Sequence, residues 1–178
     1  MLRLVPRLAL ALPLLALAAC AYRLGTGATP DFKTLYVAPV VVEAVNLPQA
    51  SALLTTQIRE TLARDGRVVV VNTSAGADAT LAVRVSNYSR DRLMSQRGDT
   101  GLARKFALNL DTRATLTNNR DARDYFKDRP IRATGDILLD NPDGTGAYDT
   151  QLQSEYQALP KLAETLAATL KHTLLDTW

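Results

Sequence analysis

The sequence predicts an α+β domain: a mostly antiparallel sheet of four or five strands with two amphipathic helices packed on one face, in the order β-α-β-β-β-β-α. Three observations predict it. Apolar residues recur about every four positions in two stretches, 54–62 and 159–174, and alternate with polar residues through the region between them. Short polar links containing glycine or asparagine separate the alternating runs, as antiparallel hairpins require.

The elements follow in order. Thr34 to Val42 is β-branched and apolar, with Leu35, Val37 and Val41 among its members, and reads as one strand with Pro39 near its exit or at an edge. Leu54, Ile58 and Leu62 line one side of a helix that Gly66 stops. Arg67 to Asn72 contains four consecutive valines and is a second strand. From Ala79 the period becomes two. Leu81, Val83 and Val85 alternate with Ala82, Arg84 and Ser86. Phe106, Leu108 and Leu110 alternate with Ala107, Asn109 and Asp111. Ile131, Ala133, Ile137 and Leu139 complete the pattern. Links with Gly98 and Gly101, or Asn118 and Asn119, join these strands, and Asn141-Pro142-Asp143-Gly144 is a turn by composition. Leu159, Leu162, Leu166, Leu170 and Leu174 form the stripe of a last helix, with Pro160 near its first turn.

The chain has 178 residues, one cysteine and one histidine, which leaves room for one domain and no disulfide scaffold. Residues 1–19 hold fifteen hydrophobic side chains with Arg3 and Arg7 ahead of the apolar run, the plan of a secretory signal peptide. That run is shorter than the roughly 20 residues a membrane span needs, and Pro13 interrupts it. Removing residues 1–19 leaves 19 cationic and 18 acidic side chains, so the formal charge falls from +3 to +1.

Leu17-Ala18-Ala19-Cys20 resembles the lipobox of bacterial lipoproteins at all four positions. The resemblance implies thioether attachment of diacylglycerol to Cys20, cleavage before it and acylation of the new amine. A lone thiol in an oxidising compartment has no partner, and each buried lipid methylene adds about 0.8 kcal/mol of membrane affinity, so several chains anchor a domain firmly. Ala21 stands where an Asp would signal retention in the inner membrane, which implies the outer membrane, with the domain on its periplasmic side. Residues 20–33, with Gly25, Gly27 and Pro30, read as a tether, and residues 34–178 as the domain.

The inventory for catalysis is thin. His172 stands alone on the last helix, and zinc sites want three or four nitrogen or sulfur ligands. Asp140, Asn141 and Asp143 miss the spacing of a calcium loop. The sequence therefore predicts no enzyme, cofactor or metal. Charge distribution says more. Residues 84–132 carry 12 cations against 6 acids, whereas the rest of the chain after residue 19 carries 7 against 12. Alternation puts Arg84, Lys105, Arg113 and Arg132 opposite the apolar stripe, and Arg90, Arg92 and Arg97 toward the first hairpin link beside Leu93 and Met94. Guanidinium groups next to exposed apolar side chains suit an amphiphile that carries phosphates. Export and the lack of interleaved aromatics speak against nucleic acid.

Several strings resemble the LptE family of lipopolysaccharide-assembly lipoproteins. They are Cys20-Ala21-Tyr22, Leu35-Tyr36-Val37-Ala38-Pro39, the helix at Leu54 to Leu62, Asp78-Ala79-Thr80-Leu81-Ala82-Val83, and the leucine-striped helix running to Trp178. Ala21 replaces a frequent glycine, and Val41-Val42-Glu43-Ala44 lacks the string common after the family's first strand. The resemblance implies a plug seated in a large outer-membrane β-barrel of the LptD type, which assists barrel assembly and helps lipopolysaccharide reach the outer leaflet. Under it, Arg90, Arg92, Arg97 and Arg132 are the expected contacts to lipopolysaccharide or the barrel. The competing expectation is a lipid-anchored activator of another envelope machine, such as peptidoglycan synthesis; a lipid-anchored hydrolase is a third.

Overall fold

The computed structural model describes residues 30–44, 47, 50–95, 103–138 and 147–176. Strand β1 (Thr34–Val37) buries Leu35 and Val37. Pro39 has no N–H to continue the ladder, and the expected single strand breaks there. The chain resumes as the two-residue β2 (Val41–Val42). Helix α1 heals the break: Thr55 Oγ1 accepts from Val40 N at 2.9 Å and Ser51 Oγ donates to Val40 O. That helix (Ala50–Asp65) buries Ala50, Leu54, Ile58 and Leu62, the stripe the spacing predicts. It ends at Gly66, whose φ of 77° suits a residue without a Cβ.

β3 (Val69–Val71) returns parallel to β1, because a helical crossover restores the strand direction. β4 (Ala79–Ser95) lies on the other side of β1, also parallel, and β2 extends that pairing. β5 (Ala103–Asn118) and β6 (Asp124–Leu138) complete an antiparallel meander with β4. The sheet is therefore six-stranded and mixed, in the order β3-β1-β4-β5-β6 with β2 beside β4. This corrects the expected four or five mostly antiparallel strands. The added strand comes from the split at Pro39, and the parallel pairings are β1 with β3, β1 with β4 and β2 with β4; the expected order of strands and helices is otherwise kept.

Helix α2 (Ala147–Leu175) starts 13 residues before Pro160, so that proline lies inside the helix and not in its first turn. Its later half buries Leu162, Ala163, Leu166, Ala167, Leu170, Leu174 and Leu175. Both helices join the sheet in one apolar core that runs from Phe32 to Leu175.

The connection from β3 to β4 crosses the start of β1 and is pinned there. The Asp78 carboxylate accepts from Lys33 N and Thr34 N, each at 3.0 Å, and pairs with Arg120 in the β5–β6 turn. The Thr34 amide, then Arg120, hold the Asp78 carboxyl far below the usual carboxylate range. The clamp fixes Lys33 and Thr34 at the start of β1. The far end of β4 lies about 55 Å away at about 3.3 Å per residue over its 17 residues.

Candidate functional site

One residue decides where the basic side chains of β4 point. The β4–β5 register runs Val85↔Thr112 and then Asn87↔Asp111, so Ser86 is an extra residue, a β-bulge. Side chains alternate along a strand, so the inserted residue moves those that follow it to the other face, until the register shifts again beyond Arg92. Before the bulge, Leu81, Val83 and Val85 are buried and Arg84 is exposed. After it, Tyr88 and Arg90 occupy the helix side, where simple alternation puts their odd-numbered neighbours.

On the helix side these two residues grip α2. The Tyr88 hydroxyl donates to Glu155 Oε2 at 3.0 Å, and Arg90 Nη1 donates to Glu155 Oε1 at 2.9 Å. Glu155 is buried, while the Arg90 side chain remains 37% exposed, so the guanidinium has a solvent side and the carboxylate hardly any. Burial, and then the Glu155 charge, push the Tyr88 phenol well above its ordinary value, so it stays a donor at neutral pH.

The opposite face carries a ladder of polar side chains across β4, β5 and β6. Arg132 Nε lies 2.6 Å from Asp111 Oδ1, and Asn87 Nδ2 donates to Asp111 Oδ2 at 3.3 Å. Asn109 Nδ2 donates to Asp91 Oδ2 at 2.7 Å, while Thr134 Oγ1 donates to Asn109 Oδ1 at 3.0 Å. Lys105 pairs with Asp136 at 2.7 Å, and Arg84 with Glu43 at 3.3 Å. The hydrogen bond from Arg132 lowers the Asp111 carboxyl, which raises the guanidinium in turn. Beside the bulge lies a cleft of about 460 Å³, half polar and half apolar, lined by Ser86, Asn87, Asp111, Thr112, Arg113, Pro130, Ile131 and Arg132. Arg113 has no carboxylate partner among the described residues and reaches only Asp128 O, at 3.4 Å.

The expected contact residues are therefore not one cluster. Arg90 and Arg132 project from opposite faces, each toward a carboxylate. Arg92 lies within β4, which continues to Ser95, so Arg90 and Arg92 belong to the strand and not to the hairpin link. Arg97 and Cys20 lie outside the described residues, as do residues 1–19, the Asn141–Gly144 turn and the Gly98 and Gly101 link. The alternation did place Arg84, Lys105, Arg113 and Arg132 together on the open face. Glu155 and Tyr88 were missed. The signal for Glu155 was its position, seven residues before Leu162 and so on the leucine stripe, where a carboxylate has to find a donor.

Among the described residues there is no group of histidine, cysteine and acidic side chains able to hold a metal ion, and no helix long and apolar enough to cross a membrane. No curated protein matches the chain in sequence. The chain is similar to a minor lipoprotein from Acinetobacter baumannii, at 17% identity over 81% of this chain and 94% of that one, with a TM-score of 0.45. It is similar to the PelC dodecamer protein from Paraburkholderia phytofirmans at 13% identity, covering 85% and 96%, with a TM-score of 0.48. Lipoprotein B from Nitrosomonas europaea is similar at 13% identity, covering 85% and 93%, with a TM-score of 0.43. The decisive finding lies in the sequence itself, where the family model for lipopolysaccharide assembly matches residues 32–174, from the start of the core to the end of α2: the chain belongs to the LptE family.

Proposed function

We propose that this protein is an outer-membrane lipoprotein that works within a lipopolysaccharide translocon. Residues 1–19 are removed, Cys20 carries the lipid, and residues 20–33 tether the domain of residues 34–178 on the periplasmic side. The domain sits in a β-barrel of the LptD type, assists its assembly and helps deliver lipopolysaccharide to the outer leaflet. The observation that carries this reading is the family match over residues 32–174.

The geometry supports it in two ways. The clamp at Asp78 holds Lys33 and Thr34 at one end of the sheet, so a tether that precedes them enters the domain at a fixed point. The open face is polar and already hydrogen-bonded, which suits a wet contact with a barrel lumen more than a dry apolar one. Arg90, Arg92, Arg97 and Arg132 are the lipopolysaccharide contacts. The two described guanidinium groups lie on opposite faces and supply separate contacts to the anionic ligand.

Replacing these four arginines with Glu and titrating purified lipopolysaccharide tests the assignment. The wild type binds more tightly, and its affinity falls more steeply with salt than the variant's, because exposed charges are screened over about 10 Å at 0.1 M. Equal binding by both proteins overturns the assignment.

A further inference from the structure

The two halves of α2 are held by different forces. After Pro160, the helix is fixed by fully buried apolar side chains, beginning with Leu162, whose Cδ1 lies 3.5 Å from where a Cβ on Gly135 would sit. Before Pro160, Glu155 is the one buried side chain among those described, and Tyr156 is 62% exposed. Pro160 has no N–H, so the Tyr156 carbonyl loses its helical donor and the two halves are joined by a weakened turn. Next to the proline Ala158 and Leu159 pack partly buried against the core, and further from it the Glu155 carboxylate between Tyr88 and Arg90 is the buried contact among the described side chains.

That carboxylate occupies a site that suits an anion. A guanidinium with a solvent-facing side and a phenol that remains protonated are both donors. The sheet beside them is apolar: Arg90 pairs in register with Leu108, and two residues further along β5 Phe106 faces Ile137. We propose that Glu155 is an internal stand-in for a ligand, and that residues 147–159 form an arm, hinged at Pro160, which lifts when the anionic head of an amphiphile replaces the Glu155 carboxylate on Arg90 and Tyr88. The tail of the amphiphile then lies on Phe106, Leu108 and Ile137. This rests on the reading above that Arg90 meets an anionic lipid, and adds to it how the site is kept closed without one. Nothing covalent changes; one carboxylate exchanges for another anion on the same donors.

The test uses dodecyl phosphate below its micelle concentration, with dodecyl maltoside as the uncharged control and inorganic phosphate as the tail-less one. Glu155→Gln keeps the side chain's shape and weakens its hold on Arg90, and it binds dodecyl phosphate about tenfold more tightly than the wild type. Arg90→Gln binds it about tenfold more weakly. Dodecyl maltoside gains no affinity from Glu155→Gln, and inorganic phosphate, which lacks the tail, binds either protein more weakly than dodecyl phosphate does. Hydrogen exchange follows the hinge: amides of 152–159 exchange faster in Glu155→Gln and in the ligand-bound wild type, while those of 162–175 are unchanged. If Arg90→Gln weakens binding but Glu155→Gln does not strengthen it, Arg90 is a contact and the stand-in is refuted. If Arg90→Gln binds as the wild type does, the contact reading falls as well. Uniformly faster exchange along α2, or equal binding of inorganic phosphate, also refutes the arm.

Discussion

Arg132 and Asp111 face each other across β5 and β6, Nε to Oδ1 at 2.6 Å, on the sheet face opposite the one from which Arg90 reaches Glu155. A cation already paired with a carboxylate is a ligand contact only if the ligand outcompetes its partner. The Arg132 side chain is 67% exposed, and exposed pairs contribute about 0–1 kcal/mol, so an incoming phosphate exchanges for Asp111 at little cost.

Asp111→Asn therefore leaves stability within about 1 kcal/mol of the wild type and strengthens lipopolysaccharide binding through Arg132. A double-mutant cycle with Arg132→Gln, read by chemical denaturation and by lipopolysaccharide titration, measures both quantities. A coupling energy well above 1 kcal/mol would mark the pair as structural.

The clamp at Asp78 makes stability fall in acid. Its folded-state value is depressed, so its contribution is complete above the unfolded value of about 4 and is lost as the pH falls below it toward the folded value. Asp78→Asn removes this dependence: the variant is less stable than the wild type at pH 7, and the difference shrinks as the pH drops below about 4. Thermal melts of both proteins from pH 7 to pH 2 give the comparison, and parallel melting curves at every pH would contradict it.

The core predicts a sharp contrast between positions of similar chemistry. Ile58 and Leu166 are fully buried on α1 and α2, and truncation to alanine costs about 2–5 kcal/mol at each. Val69 is 62% exposed on the edge strand, and Val69→Ala changes stability by no more than about 0.5 kcal/mol. Urea unfolding of the three variants orders them.

How much of this was legible in the sequence depends on the element. Helix α1 was readable residue by residue, because Leu54, Ile58 and Leu62 lie one turn apart and Gly66 ends the helix in a conformation that favours glycine. The long meander was readable as strands, since alternation survives wherever one face is buried. Two features were not readable. The start of α2 was hidden because its first half buries Glu155 in place of an apolar residue, so the leucine periodicity began only at Leu159. The face of Arg90 was hidden because Ser86 has no composition that marks a bulge, and one uncounted residue reverses the side chains that follow it, Tyr88 and Arg90 among them. The parallel pairing of β1 with β3 and β4 is a tertiary choice, set by the α1 crossover and by the β3–β4 connection that crosses the start of β1. The candidate site was legible as a basic region and illegible as two faces.

Lipidation at Cys20 has its own test. Blocking signal peptidase II accumulates a precursor that retains residues 1–19, and Cys20→Ala abolishes incorporation of labelled fatty acid. Unchanged mobility under the inhibitor would remove the anchor from the account.

The most direct measurement is affinity purification of the tagged full-length protein from detergent-solubilised outer membranes, with its partners identified by mass spectrometry. A large β-barrel of the LptD type is recovered with it in stoichiometric amount. Recovery of a cell-wall synthase with no barrel, or of the protein alone under conditions that keep barrel complexes intact, would contradict the proposed function.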